Sequence, residues 1–225
     1  IIDQSALPSF AQVASLEAAK QLLKESIILP SKYPELFKAM RQPWKGILLF
    51  GPPGTGKTEL AKAVAKESNA NFMSLSPSNV LSKYIGESER LLKRIFQFAK
   101  NQSPTVLFFD EIDALGISRN GAESDHSLRR LMAELLLQFN TLTTADRVMV
   151  LAATNRIQDI DPALLRRFER KIQIGLMNQV DRLRLLHLKM GDTPIASDVD
   201  LQWVAQSTEG FSGAELELLC REASM

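Results

Sequence analysis

The sequence predicts an α/β domain built on a five-stranded parallel sheet flanked by helices, followed by a small helical domain. Three observations carry that expectation. Five short apolar, β-branched or aromatic runs alternate with longer segments of helical period. The first run leads directly into the glycine-rich stretch Gly51-Pro-Pro-Gly-Thr-Gly-Lys-Thr58. After Ile174 the strand signals stop and only helical patterns continue.

The strand candidates are Gly46–Phe50, Asn71–Leu75, Thr105–Phe109, Val148–Ala153 and Lys171–Ile174. Strands that alternate with helices of this length imply parallel pairing, with helices covering both faces. Glu59–Lys66 reads as the helix after the first strand. In Ser88–Lys100, Leu91, Leu92, Ile95, Phe96, Phe98 and Ala99 recur at helical spacing and are expected to cover one face. Beyond Ile174, Asn178–Met190, Asp200–Gln206 and Ser212–Ser224 read as helices. They are separated by Gly191-Asp-Thr-Pro194 and Glu209-Gly-Phe-Ser-Gly213. The expected division is an α/β body over 1–176 and a small helical domain over 177–225.

Composition narrows the classes. With 225 residues, 45% hydrophobic and 24% charged, the chain has ample apolar material for a core. Lys+Arg 27 against Asp+Glu 26 leaves a net charge of +1, so no basic excess argues for nucleic acid or a membrane surface. The single cysteine, Cys220, has no internal disulfide partner. No apolar run approaches the length of a membrane span, and no signal peptide is visible. The reading is a cytosolic or nuclear protein, and helix-like sequence at both ends points to a piece of a longer polypeptide.

Gly51–Thr58 satisfies G-x-x-x-x-G-K-[ST], for which a chance match in a chain this long has odds of roughly one in a hundred. The glycines let the backbone curl so that its N–H groups converge on phosphate oxygens. Lys57 reaches the terminal phosphates, and the Thr58 hydroxyl can ligate Mg²⁺. The cradle comprises Gly51, Pro52, Pro53, Gly54, Thr55, Gly56, Lys57 and Thr58. A strand before it and a helix after it place the positive helix end at the phosphates of ATP.

Val106-Leu-Phe-Phe-Asp110-Glu111 ends a buried strand in two carboxylates, which is poor structural chemistry unless a cation sits there. Asp110 suits the Mg²⁺ shell, and Glu111 can orient and deprotonate an attacking water. That pairing favours hydrolysis over transfer to an acceptor. Ala152-Ala-Thr-Asn155 ends the fourth strand; Asn155 either holds the water beside the γ-phosphate or simply forms the turn before Arg156.

These pieces, in this order, resemble the AAA ATPase family over nearly the whole chain. Gly51–Thr58 is similar to its Walker A segment, Phe109-Asp-Glu111 to its Walker B and Thr154-Asn155 to its first sensor. Asp161-Pro-Ala-Leu-Leu-Arg166-Arg167-Phe168 resembles its arginine-finger segment. Gly210-Phe-Ser-Gly-Ala-Glu215 resembles the small-domain motif that contacts adenine, which implies Gly213 and Ala214 there, with Val13 and Ala14 on the other side. The resemblance implies that Arg166 and Arg167 act in a neighbouring subunit's site. On residues alone, two arginines at a helix C-terminus equally offset its dipole.

Within the family the chain looks most like the katanin-type branch that severs microtubules. Pro43-Trp-Lys-Gly46 and Pro30-Ser-Lys-Tyr-Pro-Glu-Leu-Phe37 carry that likeness. Ser82-Lys-Tyr-Ile-Gly-Glu-Ser-Glu89 is similar to the branch's first pore loop. Lys83, Tyr84 and Ile85 would then line a channel and grip an extended polypeptide; the other reading of Tyr84 is a core aromatic near a turn. A second pore loop is expected around Arg119–His126. Glu59, where the family usually has an aliphatic residue, departs from the pattern. The resemblance implies a homo-oligomer, expected to be a hexamer, although this piece alone could be monomeric. It also implies tubulin as the client and a cytoplasmic, cytoskeleton-associated location. An ESCRT-type or other disassembly ATPase remains the alternative, and a nucleotide-regulated scaffold with little turnover is the alternative of a different class.

Overall fold

The structure, a computed structural model, describes residues 2, 4–33, 43–76, 80, 87–115, 122–191, 193–194, 196 and 198–224. An N-terminal helix α1 (Glu17–Leu23) passes through a widened helical turn, Lys24–Ile28, into the short helix α2 (Leu29–Lys32). The strands are β1 (Gly46–Phe50), β2 (Asn71–Leu75), β3 (Thr105–Phe109), β4 (Val148–Thr154) and β5 (Arg170–Gln173). Between them run α3 (Lys57–Glu67), α4 (Glu87–Asn101), α5 (Ala122–Thr141) and the single turn α6 (Pro162–Leu165). Three helices follow: α7 (Gln179–Met190), α8 (Leu201–Ser207) and α9 (Gly213–Ala223).

All five strands pair in parallel in the order β2-β3-β4-β1-β5. Side chains alternate across a strand, so β1 to β4 each feed two cores, while the edge strand β5 buries only Ile172. Ile47, Leu49, Val106, Phe108, Leu151 and Ala153 face one core, where Leu60, Ala61 and Val64 of α3 meet them. Leu48, Leu107, Phe109, Val150 and Ala152 face the other, against Leu92 and Phe96 of α4 and Leu131 and Leu135 of α5. With both faces covered, β1, β3 and β4 are buried almost throughout, which is why they read as unbroken apolar runs. Polar side chains can then collect only where the strands end.

The short helices owe their limits to their caps. Asn178 accepts from the Asp181 N–H, Asp200 from Gln202 and Ser212 from Glu215. Leu185, Leu186, Ala205, Leu216 and Cys220 form a third, smaller core among α7, α8 and α9. Arg182 is buried there, donating to the carbonyls of Ala205 and Met177. Ala14, from the N-terminal segment, also packs into this core. Burial pushes the Cys220 thiol pKa up, and the side chain is a free thiol.

Helix α4 corrects one expectation. Leu92, Phe96 and Ala99 are buried, but Leu91 and Phe98 are 42% and 44% exposed. At about 100° per residue these two fall well to one side of the buried stripe. The pair therefore separates packing from mere hydrophobicity. Leu92→Ala is expected to cost about 2–5 kcal/mol in urea denaturation, whereas Leu91→Ala costs under about 1 kcal/mol.

Candidate active site

The phosphate-loop candidate begins where β1 leaves the sheet. The Phe50 carbonyl accepts from the Ile174 N–H at 2.8 Å, and the Gly51 N–H donates to the Thr154 carbonyl at 3.3 Å. Gly51 has φ +150°, and a Cβ added there would lie 1.9 Å from the Ile174 carbonyl oxygen, so only glycine fits. The Thr55 hydroxyl donates to the Pro52 carbonyl at 2.9 Å and folds the loop onto itself. Gly56, left-handed at φ +85°, then admits the first turn of α3. The helix starts at Lys57 rather than near Glu59, so Lys57 and Thr58 both belong to its N-terminal turn. Glu59 is exposed and pairs with Lys62 at 2.7 Å.

Lys57 is buried, and its ammonium donates to the carbonyls of Gly51 at 3.0 Å and Pro52 at 2.6 Å. Burial pushes its pKa down, while the carboxylates of Asp110 and Asp113 work in the opposite direction. The loop thus stores a cation on its own carbonyl oxygens, within reach of two acids.

The second wall is the end of β3. Asp110 is held from three sides. Its N–H donates to the Leu75 carbonyl at 2.9 Å, its Oδ2 accepts from the Thr58 hydroxyl at 2.8 Å, and its Oδ1 accepts from the Glu111 N–H at 3.1 Å. Glu111 follows in the left-handed region at φ +51°, a conformation that costs an L-residue about 1–2 kcal/mol. Its carboxylate is exposed and has no hydrogen-bond partner among the described residues. Strain of this kind collects at functional positions.

The third wall is the end of β4, one residue longer than the sequence indicates. Thr154 is buried, and its hydroxyl donates to Asp113 Oδ1 at 2.6 Å while accepting from the Arg156 N–H at 2.9 Å. Asn155 stands exposed between them. The sequence reading passed over Asp113. The available signal is the third acid of Asp110-Glu-Ile-Asp113, one short turn beyond the first.

The small domain closes against the loop. Ser212 and Glu215 bond reciprocally at the start of α9, and the two bonds from Ser212 hold the Glu215 carboxyl below its usual range. The Ala214 N–H donates to the Gly54 carbonyl at 3.1 Å, so Gly213 and Ala214 sit beside the loop. Val13 and Ala14 of the N-terminal segment are both buried. The Lys20 ammonium fixes the Val13 carbonyl at 2.6 Å, and Ala14 enters the small-domain core. Ser15 next to them has φ +125°, and its hydroxyl is buried without a hydrogen-bond partner among the described residues.

Arg166 and Arg167 project from the end of α6 into solvent, with no ion pair among the described residues. Asp161 caps the turn by accepting from Ala163 and Leu164, and the buried Leu164 and Phe168 anchor either side of the arginine pair. Phe168 meets Phe139 edge-on at 5.4 Å. The structure therefore brings Lys57, Thr58, Asp110 and Glu111 together and points the arginines away from the fold. Lys83, Tyr84 and Ile85 lie outside the described residues, as do 119–121 of the second expected pore segment.

Comparison with known proteins places this geometry. The model of the AAA family, "ATPase family associated with various cellular activities", matches residues 47–176, and an AAA+ lid domain model matches 198–225. The chain is 46% identical over its full length to Katanin p60 ATPase-containing subunit A1 of Arabidopsis thaliana, covering 45% of that protein. Over 95% of the chain it is 48% identical to a Cell division cycle protein 48 homolog of Archaeoglobus fulgidus, covering 30% of that protein. The chain thus spans less than half the length of these relatives. Among solved structures, one described as the structural basis for katanin self-assembly matches with TM-score 0.83 and 38% identity, over 96% of this chain and 70% of that one. The FIGL-1 AAA domain in complex with ADP matches with TM-score 0.84 and 39% identity, over 96% and 73%.

Two glycines of the loop separate close contact from backbone conformation. Gly51→Ala is expected to destabilise the domain by several kcal/mol in thermal melts and to abolish nucleotide binding, because β1 and the segment after β5 must part. Gly56→Ala meets open space and should cost only about 1–2 kcal/mol, from its left-handed backbone alone.

Proposed function

The chain belongs to the AAA family of ATPases, and from that premise we propose that it couples Mg²⁺-dependent ATP hydrolysis, in a ring of copies, to pulling on a protein client. The observation that carries the proposal is the 2.8 Å contact between the Thr58 hydroxyl and Asp110, which ties the phosphate loop to the acidic strand end. Hard oxygen donors from those two side chains suit Mg²⁺, which takes few protein ligands and keeps phosphate oxygens and waters. Thr58 and Asp110 would hold the ion, and when bound it offsets charge on the phosphate oxygens.

The remaining roles follow from position. The Gly51–Gly56 backbone and the α3 N-terminus cradle the phosphates. Lys57 leaves the loop carbonyls for the terminal phosphates, exchanging neutral acceptors for charged ones. Glu111, exposed and without a hydrogen-bond partner among the described residues, takes a proton from the attacking water, and Asn155 orients that water. Val13, Ala14, Gly213 and Ala214 border the base. Arg166 and Arg167, which have no ion pair among the described residues, supply positive charge to a neighbouring copy's γ-phosphate.

The client reading rests on likeness. The katanin relatives, and the Pro43-Trp-Lys-Gly46 and Lys83-Tyr-Ile-Gly86 segments, favour microtubule severing. Tyr84 would grip a disordered acidic tubulin tail and Lys83 would attract its carboxylates. The comparable identity to a Cell division cycle protein 48 homolog favours the AAA core equally without favouring that client. No described helix is long and apolar enough to cross a membrane.

Three experiments test these levels. Glu111→Gln should keep ATP affinity and lose about 10²–10⁴ in turnover, while Lys57→Ala loses affinity; a Glu111→Gln protein with unaltered turnover refutes the base. Arg167→Ala should bind ATP but hydrolyse it poorly, and mixing it with Glu111→Gln protein should restore part of the turnover. Activity that persists in a demonstrably monomeric state refutes the shared site. For the client, Tyr84→Ala in the full-length protein should keep basal ATPase yet abolish severing of stabilised microtubules. An active ATPase that never severs turns the reading to ESCRT-type or other disassembly.

A further inference from the structure

Asp113 has no place in the roles assigned above, yet it is the partner of a buried hydroxyl at the edge of the site. We propose that Asp113 is a positioning residue for hydrolysis: its carboxylate clamps the Thr154 hydroxyl, and that hydroxyl sets the turn carrying Asn155. The inference rests on the reading of Asn155 as the residue that orients the water.

The geometry is a two-step latch. Thr154 Oγ1 donates to Asp113 Oδ1 at 2.6 Å, a short bond to a carboxylate of the strong class. With its proton committed to Asp113, the hydroxyl turns a lone pair to the Arg156 N–H, which donates at 2.9 Å. Residues 154 and 156 are thereby fixed to one oxygen, and Asn155 lies between them without freedom to swing. Thr154 is 1% exposed, so no water can readily replace either bond. Asp113 is itself held rigidly. It sits in the short turn Ile112–Leu115, anchored by buried Ile112 and Leu115 and closed by the Ala114 N–H donating to the Glu111 carbonyl. One tight turn thus carries both the proposed base, Glu111, and the anchor of the residue that presents the water. A displacement of either would move them relative to each other, and an error near 1 Å in such a pair costs about 10²-fold in rate.

The variants separate positioning from mere stability. Thr154→Val keeps the shape and removes no charge, so Lys57, Thr58 and Asp110 should bind ATP as before. Its kcat is expected to fall about 10²-fold with an unchanged ATP dissociation constant. Thr154→Ser, which restores the hydroxyl, should recover most of that loss. Asp113→Ala should lower kcat similarly and add little when combined with Thr154→Val. It also removes a carboxylate near Lys57, and a change in its ATP affinity reads that second effect separately. Amide exchange at Arg156 gives a readout independent of turnover: protection should drop in Thr154→Val and Asp113→Ala and persist in Thr154→Ser. A Thr154→Val protein with parental kcat, or with parental Arg156 protection, overturns the latch. So does a Thr154→Ser protein as impaired as Thr154→Val, or affinity falling in step with rate in Thr154→Val. A parent protein that turns over no ATP overturns the proposed function instead, while the Arg156 exchange still judges the latch.

Discussion

The parallel register of three strands sets every distance in the site. Phe50 of β1 lies opposite Thr154 of β4, and Phe109 of β3 lies opposite Ala152. The chain therefore leaves β1, β3 and β4 at nearly the same height on one edge of the sheet. The glycine loop, the Asp110–Glu111 pair and the Asn155 turn follow within one or two residues of those exits. A slip of one residue in any pair would invert which core each side chain faces. Because both faces of β1, β3 and β4 are packed, such a slip would bury wrong-sized side chains along the whole strand. The hydrophobic cores thus fix the catalytic geometry without contributing an atom to it.

That edge concentrates charge in a setting that invites an anion. Lys57 is buried and rests on neutral carbonyl oxygens, while Asp110 and Asp113 stand near enough to act on it. Moving the ammonium onto phosphate oxygens replaces dipoles with full negative charges, so the ligand gains more than the loop gives up. Asp110 is committed to Thr58 and to the Glu111 N–H, and Asp113 to Thr154. Among the described residues Glu111 has no such commitment, and its left-handed backbone turns it out of the chain's regular course. Of three neighbouring carboxylates, two are tied into structure and one is left available for chemistry.

Much of this was legible in the sequence, for reasons that differ by element. β1 and β3 have the limits their apolar runs indicate, since a strand buried on both faces has an unambiguous composition, and the half-buried edge strand β2 keeps its indicated limits as well. β5 runs from Arg170 to Gln173 rather than from Lys171 to Ile174, because exposed Arg170 carries no burial signal and buried Ile174 already belongs to the segment after the strand. α3 begins at Lys57, where a lysine after glycine reads as loop until the phosphate motif is recognised. Leu91 and Phe98 show the limit of periodicity: an apolar residue near a stripe need not lie in it. The Asp113–Thr154 bond spans 41 positions and had no local signature. Neither did the entry of Ala14 into the small-domain core, since nothing in a short apolar segment says which of two cores it will join.

The boundary between the two cores is built lightly, and that has mechanical meaning. Ala14 contributes one small side chain, the Ala214 N–H makes one bond to the Gly54 carbonyl, and Arg184 meets Glu17 at 3.3 Å with both side chains largely exposed. An exposed ion pair of that sort contributes about 0–1 kcal/mol, and a net hydrogen bond about as much. Contacts of this size are easily remade, so a small difference in how a bound nucleotide touches each side can reset the angle between the domains. The contact at Gly54 lies inside the phosphate loop itself, so α9 meets the loop directly. A change in the conformation of the loop at Gly54 therefore bears directly on Ser212 and Ala214, where α9 begins.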